Sequence, residues 1–214
     1  MNERLQSAYI GQAGSGAISE QRNRVLRNTY WLLALSLVPT VLGAWVGVST
    51  GVMARLGMGI STIVFLAGAF GFMFAIEKFK NSSTGVPVLL GFTFFMGLML
   101  SRLLAAVLGF SNGASLIMYA FSGTAAVFFA MASLSSVIKR DLSNMGKFLF
   151  VGAILLLVAG VINVFVQSGA LMITLSVIAI GLFSAFMLYD LKRVIDGGET
   201  NYVSATLAIY LDIY

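Results

Sequence analysis

The stretch Ala170–Leu191, ALMITLSVIAIGLFSAFMLYDL, decides the fold class of this chain. It carries no charged residue before Asp190. About 20 predominantly apolar residues are the length that an α-helix needs to cross the hydrocarbon core of a bilayer. A helix of this kind satisfies its own backbone hydrogen bonds where no water is present. The stretch therefore predicts a membrane-spanning helix.

Six further apolar stretches share this character, and short polar loops separate them. Together they predict an all-α integral membrane protein, a seven-helix bundle over residues 29–214. The last stretch has 12 residues from Val203 to Tyr214, roughly 18 Å of helix, so we expect the sequence to break off within that helix. The seven stretches are Tyr30–Val48, Met58–Ile76, Val86–Leu108, Ser115–Ile138, Met145–Phe165, Ala170–Leu191 and the one that starts at Val203.

The amino-acid composition excludes several classes of protein function. Hydrophobic residues make up 59% of the chain and charged residues 10%, against roughly 25% charged residues in a soluble domain. Cysteine and histidine are both absent. Their absence excludes disulfides, Cys/His zinc sites and Ser-His or Cys-His catalytic machinery.

Lysine and arginine predict the orientation in the membrane. Eleven of the 13 fall on one side of the predicted spans, and the positive-inside rule makes that side cytosolic. The N-terminus is then cytosolic, and the polar, Gly-bearing residues 1–28 are expected to form a flexible cytosolic tail. The net charge of +5 thus indicates topology rather than nucleic-acid binding. The eleven are Arg4, Arg22, Arg24, Arg27, Lys78, Lys80, Lys139, Arg140, Lys147, Lys192 and Arg193.

Charged residues within spans are costly and are functional candidates. Asp212 is expected about 15 Å along the last helix, near the middle of the membrane. Asp190 ends the sixth span, where it either pairs with the bases that follow it or faces Asp212. Arg102 interrupts the third span; it either snorkels to the outer surface or belongs to a polar pathway.

Two carboxyl groups at one site would form a proton- or ion-sensing pair. The sixth and seventh stretches are joined by a short loop and should run antiparallel, which brings Asp190 and Asp212 into the same region. Like charges cannot both ionise cheaply in a low dielectric, so the pair is expected to titrate as a unit. It would hold a proton or, when ionised, accept calcium as a metal. A purely structural hydrogen-bonding role for Asp212 is the alternative.

Two aspartates on adjacent helices also occur in intramembrane aspartyl proteases of the presenilin type. In that family the first Asp lies in a Tyr-Asp pair, which Tyr189-Asp190 matches. The second lies in Gly-x-Gly-Asp, whereas Asp212 follows Ile209-Tyr210-Leu211 without a glycine. The sequence therefore favours no catalytic residue and a non-enzymatic protein.

The chain resembles the transmembrane Bax inhibitor motif family. Tyr189-Asp190, a short loop, and Ile209-Tyr210-Leu211-Asp212 are similar to its C-terminal signature. Arg24–Tyr30 (RVLRNTY), and Gly197–Tyr202 (GGETNY) followed by Ala205-Thr206-Leu207, resemble its bacterial YccA-like branch. The seven-span layout covers nearly the whole chain.

The resemblance implies a fold and two functions. The fold is a seven-helix bundle with a central last helix. Members of the YccA-like branch are multi-pass proteins of the bacterial inner membrane; they bind the membrane-bound AAA protease FtsH and its associated complex and restrain its degradation of membrane proteins. In calcium-leak members, paired acids corresponding to Asp190 and Asp212 form a pH-sensitive latch. A base at the end of the second span, here Lys78 or Lys80, can bind that latch.

Overall fold

The computed structural model describes residues 20–57 and 59–214. Helices are the only regular elements of the described residues. They are α1 (Asn2–Thr50, described from residue 20 onward), α2 (Val52–Arg55), α3 (Gly57–Phe79), α4 (Gly85–Leu108), α5 (Gly113–Val137), α6 (Met145–Val166), α7 (Gly169–Ile195) and α8 (Tyr202–Ile213).

Six helices are long and apolar enough to cross a membrane: α1, α3, α4, α5, α6 and α7. The seventh predicted stretch is α8, an apolar helix of 12 residues, which is shorter than the roughly 20 residues that a span needs. The all-helical membrane fold is thus confirmed; the described residues contain six full-length candidate spans and one short helix at the position of the seventh stretch. The short helix α2, in the loop after α1, was not predicted from the sequence.

The predicted flexible tail, residues 1–28, lies mostly outside the described residues, and for residues 1–19 it stays a prediction. Residues 20–28 are helical and form the first turns of the candidate span Glu20–Thr50. Val25 is buried there against Val194 and Ala205. This part of the tail is therefore attached to α7 and α8.

Helices α1 and α4 pack closely against each other at three glycines. A Cβ on Gly97 of α4 would lie 2.0 Å from the carbonyl oxygen of Thr40, and one on Gly43 of α1 would lie 2.1 Å from that of Phe94. Gly47 faces Ser101 in the same way. Small residues let two membrane helices approach closely without a hydrophobic driving force. The GxxxG pair Gly43 and Gly47 thus packs within the chain.

Helix α8 lies among α1, α3, α4 and α7. Ile209 and Tyr210 are almost completely buried there. The Tyr210 hydroxyl is 2.9 Å from Thr40 Oγ1 on α1, and the Tyr214 hydroxyl donates to the Met96 carbonyl on α4 over 3.1 Å. These contacts place the last helix inside the bundle, as the resemblance implied.

Helix α6 packs on α7 and leaves most of its surface exposed, including Phe148 and Phe165. Exposed large apolar side chains of this kind suit a lipid environment, because contact with acyl chains costs them nothing.

Candidate functional site

The carboxyl groups of Asp190 and Asp212 lie against each other between α7 and α8. They are close enough for a side-chain hydrogen bond when one of them carries a proton, and each acts electrostatically on the other. Both residues are half-buried. The hairpin of α7 and α8 creates this contact, because its short loop returns α8 along the last turns of α7.

The surroundings of the two acids are asymmetric. Asp190 is near the Arg193 guanidinium and the Glu199 carboxylate, which act on it electrostatically with opposite sign. Asp212 has Asp190 as its charged neighbour. Its Oδ2 atom is buried and makes no hydrogen bond among the described residues; the same holds for the Ser204 hydroxyl on α8. The pair therefore has one side toward the charged loop and one side enclosed by helices.

Two carboxylates supply only part of the ligands that a bound metal ion would need at this site. Calcium usually takes 6–8 oxygen ligands, and the described residues contain no cluster of three or more acidic, His or Cys side chains that could hold an ion. A calcium ion at Asp190 and Asp212 would need backbone or water oxygens for the rest of its shell. The arrangement suits transient contact with a cation or exchange of a proton.

The loop after α7 is held by ion pairs and a cap. Lys192 Nζ lies 2.7 Å from Asp196 Oδ1, and Arg193 lies 3.3 Å from Glu199. The Glu199 carboxylate also accepts from the Asn201 backbone N–H over 2.9 Å. The ion pair between Arg193 and Glu199 thus places one positive and one negative side chain beside Asp190.

Asn201 connects this loop to a second one. Its side-chain oxygen caps α8 by accepting from the backbone N–H groups of Val203 and Ser204. Its amide nitrogen donates to the Lys80 carbonyl over 3.0 Å and to the Asn81 side chain over 2.8 Å. The start of the helix that carries Asp212 is therefore fixed to the α3–α4 loop.

A cavity of about 260 Å³ lies between the last turns of α7 and the loop that joins α5 to α6. Tyr189, Lys192, Arg193, Asp141 and Ser143 contribute to its lining. Asp141 lies outside the candidate spans, and hydrogen bonds from the Ser143 hydroxyl and backbone N–H lower the pKa of its carboxyl. The cavity thus offers charges of both signs next to the residue that precedes Asp190.

The three predicted bases lie elsewhere. Lys80 pairs with Glu77 at 2.5 Å, and Lys78 lies over the Phe79 ring at 5.7 Å from its centroid. Arg102 donates to Ser61 Oγ on α3 over 3.0 Å. The base that acts on Asp190 is Arg193, so a latch role for Lys78 or Lys80 and a pathway role for Arg102 stay predictions.

Sequence reasoning missed Glu199 beside Asp190, Asn201 at the start of α8 and the buried hydroxyl of Ser204. Asn201 had a usable signal, since an Asn directly before an apolar helix is a preferred N-cap. Glu199 and Ser204 had none, because their roles depend on how the loop folds back. Asp212 itself lies inside a regular helix, without the glycine-opened backbone of an intramembrane protease.

Comparison with known proteins agrees with this architecture. Residues 22–214 match the family described as "Inhibitor of apoptosis-promoting Bax1". "Modulator of FtsH protease YccA" from Escherichia coli K12 is 34% identical over 192 residues, covering 90% of this chain and 85% of that protein.

Relatives without an assigned function are equally similar. An "Uncharacterized membrane protein" from Vibrio cholerae is 38% identical over 197 residues, covering 90% of this chain and 85% of its own length. An uncharacterized protein from Pseudomonas aeruginosa is 37% identical over 202 residues, covering 94% of this chain and 89% of its own. Since the family match spans the whole bundle and both aspartates, the chain belongs to the Bax inhibitor family.

Proposed function

We propose that this protein is a non-enzymatic modulator of a membrane-bound AAA protease of the FtsH type, located in the bacterial inner membrane with its N-terminus in the cytosol. The observation that carries the proposal is the 34% identity, over 90% of this chain, to a relative named as a modulator of FtsH protease. A protein with the same name from another Escherichia coli strain is described as an inner membrane protein. In this proposal, the protein described here binds the protease and slows its degradation of membrane proteins.

The bundle offers a surface for such a partner at its predicted cytosolic end. Arg22, Arg24 and Arg27 are exposed on the helical extension of α1, which packs through Val25 against α7 and α8. A protease that contacts this extension would contact the same structural unit that carries the aspartate pair. No catalytic residue is needed for this activity.

Two measurements test the protease proposal. The tagged full-length protein, purified from bacterial membranes in mild detergent, is expected to retain FtsH. In proteoliposomes, adding it should slow degradation of a membrane substrate by FtsH, and adding an unrelated multi-pass protein should not. If neither retention nor slowing occurs, the proposal is wrong.

We infer a second candidate function, a pH-sensitive calcium leak, from the contact between Asp190 and Asp212. A carboxyl pair that exchanges a proton near neutral pH can couple a cation pathway to pH. The charged cavity beside Tyr189 supports this candidate, since Arg193, which acts electrostatically on Asp190, contributes to its lining.

Calcium flux into liposomes tests this second candidate. The full-length protein should leak calcium with a rate that changes between about pH 6 and pH 8, and Asp212→Asn should lose that change. Glu77→Gln is the matched control, because it removes an acid exposed at 68% from the same predicted side of the membrane. Flux no higher than in empty liposomes would contradict the leak and leave the protease proposal unaffected.

A further inference from the structure

A groove of about 530 Å³ lies between α1 and the start of α8. Its volume is in the range of about 300–1,000 Å³ typical of ligand sites. Most of its wall is apolar, and the polar part is at one end. The lining residues are Asn28, Trp31, Leu32, Ala34, Leu35 and Tyr202.

The groove begins at the predicted cytosolic interface and continues into the hydrocarbon region. Trp31 is 73% exposed, and tryptophan is enriched at the level of the lipid headgroups. Leu35, Val38 and Leu42 follow Trp31 on the exposed side of α1. An acyl chain entering at Trp31 would therefore run along an apolar wall.

Two arginines stand at the headgroup end. Arg24, Asn28, Trp31 and Leu35 are spaced by four, three and four residues, so they share one face of the helix. Arg27 precedes Trp31 by one turn. The distance along the helix from Arg24 to Leu35 is roughly 16 Å, which suits a phosphate at one end and an acyl chain at the other.

The positive charges of Arg24 and Arg27 are available to an anionic ligand. Both are exposed, and within residues 20–57 and 59–214 neither belongs to an ion pair. The bases of the neighbouring loops differ: Lys80, Lys192 and Arg193 are paired with Glu77, Asp196 and Glu199. Arg22, on another face of α1, lies with its methylene stem against Gly197. Within residues 20–50 of α1, the groove face presents the guanidinium groups of Arg24 and Arg27, which belong to no ion pair of the described residues, beside an apolar cleft.

We propose that this groove binds one phospholipid with an acidic headgroup from the cytosolic leaflet. Its phosphate contacts Arg24 and Arg27, with Asn28 as a further hydrogen-bond donor. One acyl chain packs between Trp31, Leu35 and Tyr202. The site joins α1 to α8 through the lipid, and it does not depend on the proposed protease or leak function.

Lipid titration followed by native mass spectrometry tests this site. The full-length protein in detergent is titrated with phosphatidylglycerol and, separately, with phosphatidylcholine, and bound lipid is counted. We expect one tightly held phosphatidylglycerol. Since each base near an anionic surface contributes about fivefold in affinity, the double variant Arg24→Gln/Arg27→Gln should bind it about 25-fold more weakly.

Two further variants make the test specific. Lys139→Gln/Arg140→Gln removes two exposed bases from the same predicted side and should leave the affinity unchanged. Ala34→Trp fills the groove without altering charge and should displace the lipid. Equal loss in both charge variants, no preference for phosphatidylglycerol, or full binding by Ala34→Trp would each overturn the proposal. Thermal unfolding of every variant confirms that the fold is retained before binding is compared.

Discussion

The side-chain amide of Asn201 donates a hydrogen bond to the main-chain carbonyl of Lys80 over 3.0 Å. This bond joins the loop before α8 to the loop between α3 and α4. The same side chain caps α8. One residue therefore fixes both the start of the last helix and its place in the bundle.

Replacing Asn201 with Ala should lower the stability of the bundle. The loss of an N-cap costs about 1 kcal/mol, and the loss of the partly buried hydrogen bond to the Lys80 carbonyl costs about as much again. We expect a decrease of about 2 kcal/mol in the free energy of unfolding, measured by denaturant titration in detergent.

Asn112→Ala is the matched control for this substitution. Asn112 occupies the N-cap position of α5 but makes no capping hydrogen bond with its side chain. Asn112→Ala should change the free energy of unfolding by less than half of the change expected for Asn201→Ala. Similar losses in the two variants would show that Asn201 contributes no more than helix propensity.

The α1–α4 contact should tolerate no side chain at Gly97. A methyl group there would lie 2.0 Å from the Thr40 carbonyl oxygen, a backbone atom that cannot rotate away. Because overpacking typically costs about 1–3 kcal/mol, Gly97→Ala should lower the midpoint of thermal unfolding. Gly123→Ala is the control, since nothing lies within 4 Å of its Cβ position. An unchanged midpoint for Gly97→Ala would contradict the close crossing.

The contact between the two aspartates is open to direct cross-linking. The chain has no cysteine, so Asp190→Cys/Asp212→Cys contains the only two thiols. A short bifunctional thiol reagent should join them and change the mobility of the denatured chain after a protease cut in the α7–α8 loop. Ser111→Cys/Asp212→Cys should stay unlinked. Ser111 lies in the α4–α5 loop, whereas the helix that carries Asp212 starts at the α3–α4 loop, at the other end of α4. Linking of both pairs to the same extent would argue against a specific contact.

The predicted orientation is testable with single cysteines in exposed loops. Ser143, between α5 and α6, is expected in the cytosol, and Ser111 is expected outside; both are exposed. A membrane-impermeant thiol reagent added to intact spheroplasts should label Ser111→Cys and label Ser143→Cys only after lysis. The reverse pattern would mean that the positive-inside rule does not set this topology.

The helices themselves were predictable from the sequence. Length and apolarity are local properties, and the hydrocarbon core imposes both on any spanning segment. Ala170–Leu191 therefore falls within α7 and Met145–Phe165 within α6, with ends that differ by a few residues. The candidate pair Asp190 and Asp212 was predictable for a related reason, since charges are rare inside such segments and a short loop requires the hairpin.

The arrangement of the helices was decided only by the tertiary structure. A helix that is apolar on all sides does not indicate which face meets a neighbour. The fit of Gly97 against Thr40 and the burial of Tyr210 beside Phe92 depend on surfaces far apart in sequence. The same holds for Arg193 beside Asp190 and for the groove between α1 and Tyr202. The membrane-spanning segments could be recognised from the sequence alone, because the hydrocarbon core imposes its length and apolarity requirements on each segment separately. Packing decided which polar groups meet, because that depends on the shapes of several helices at once.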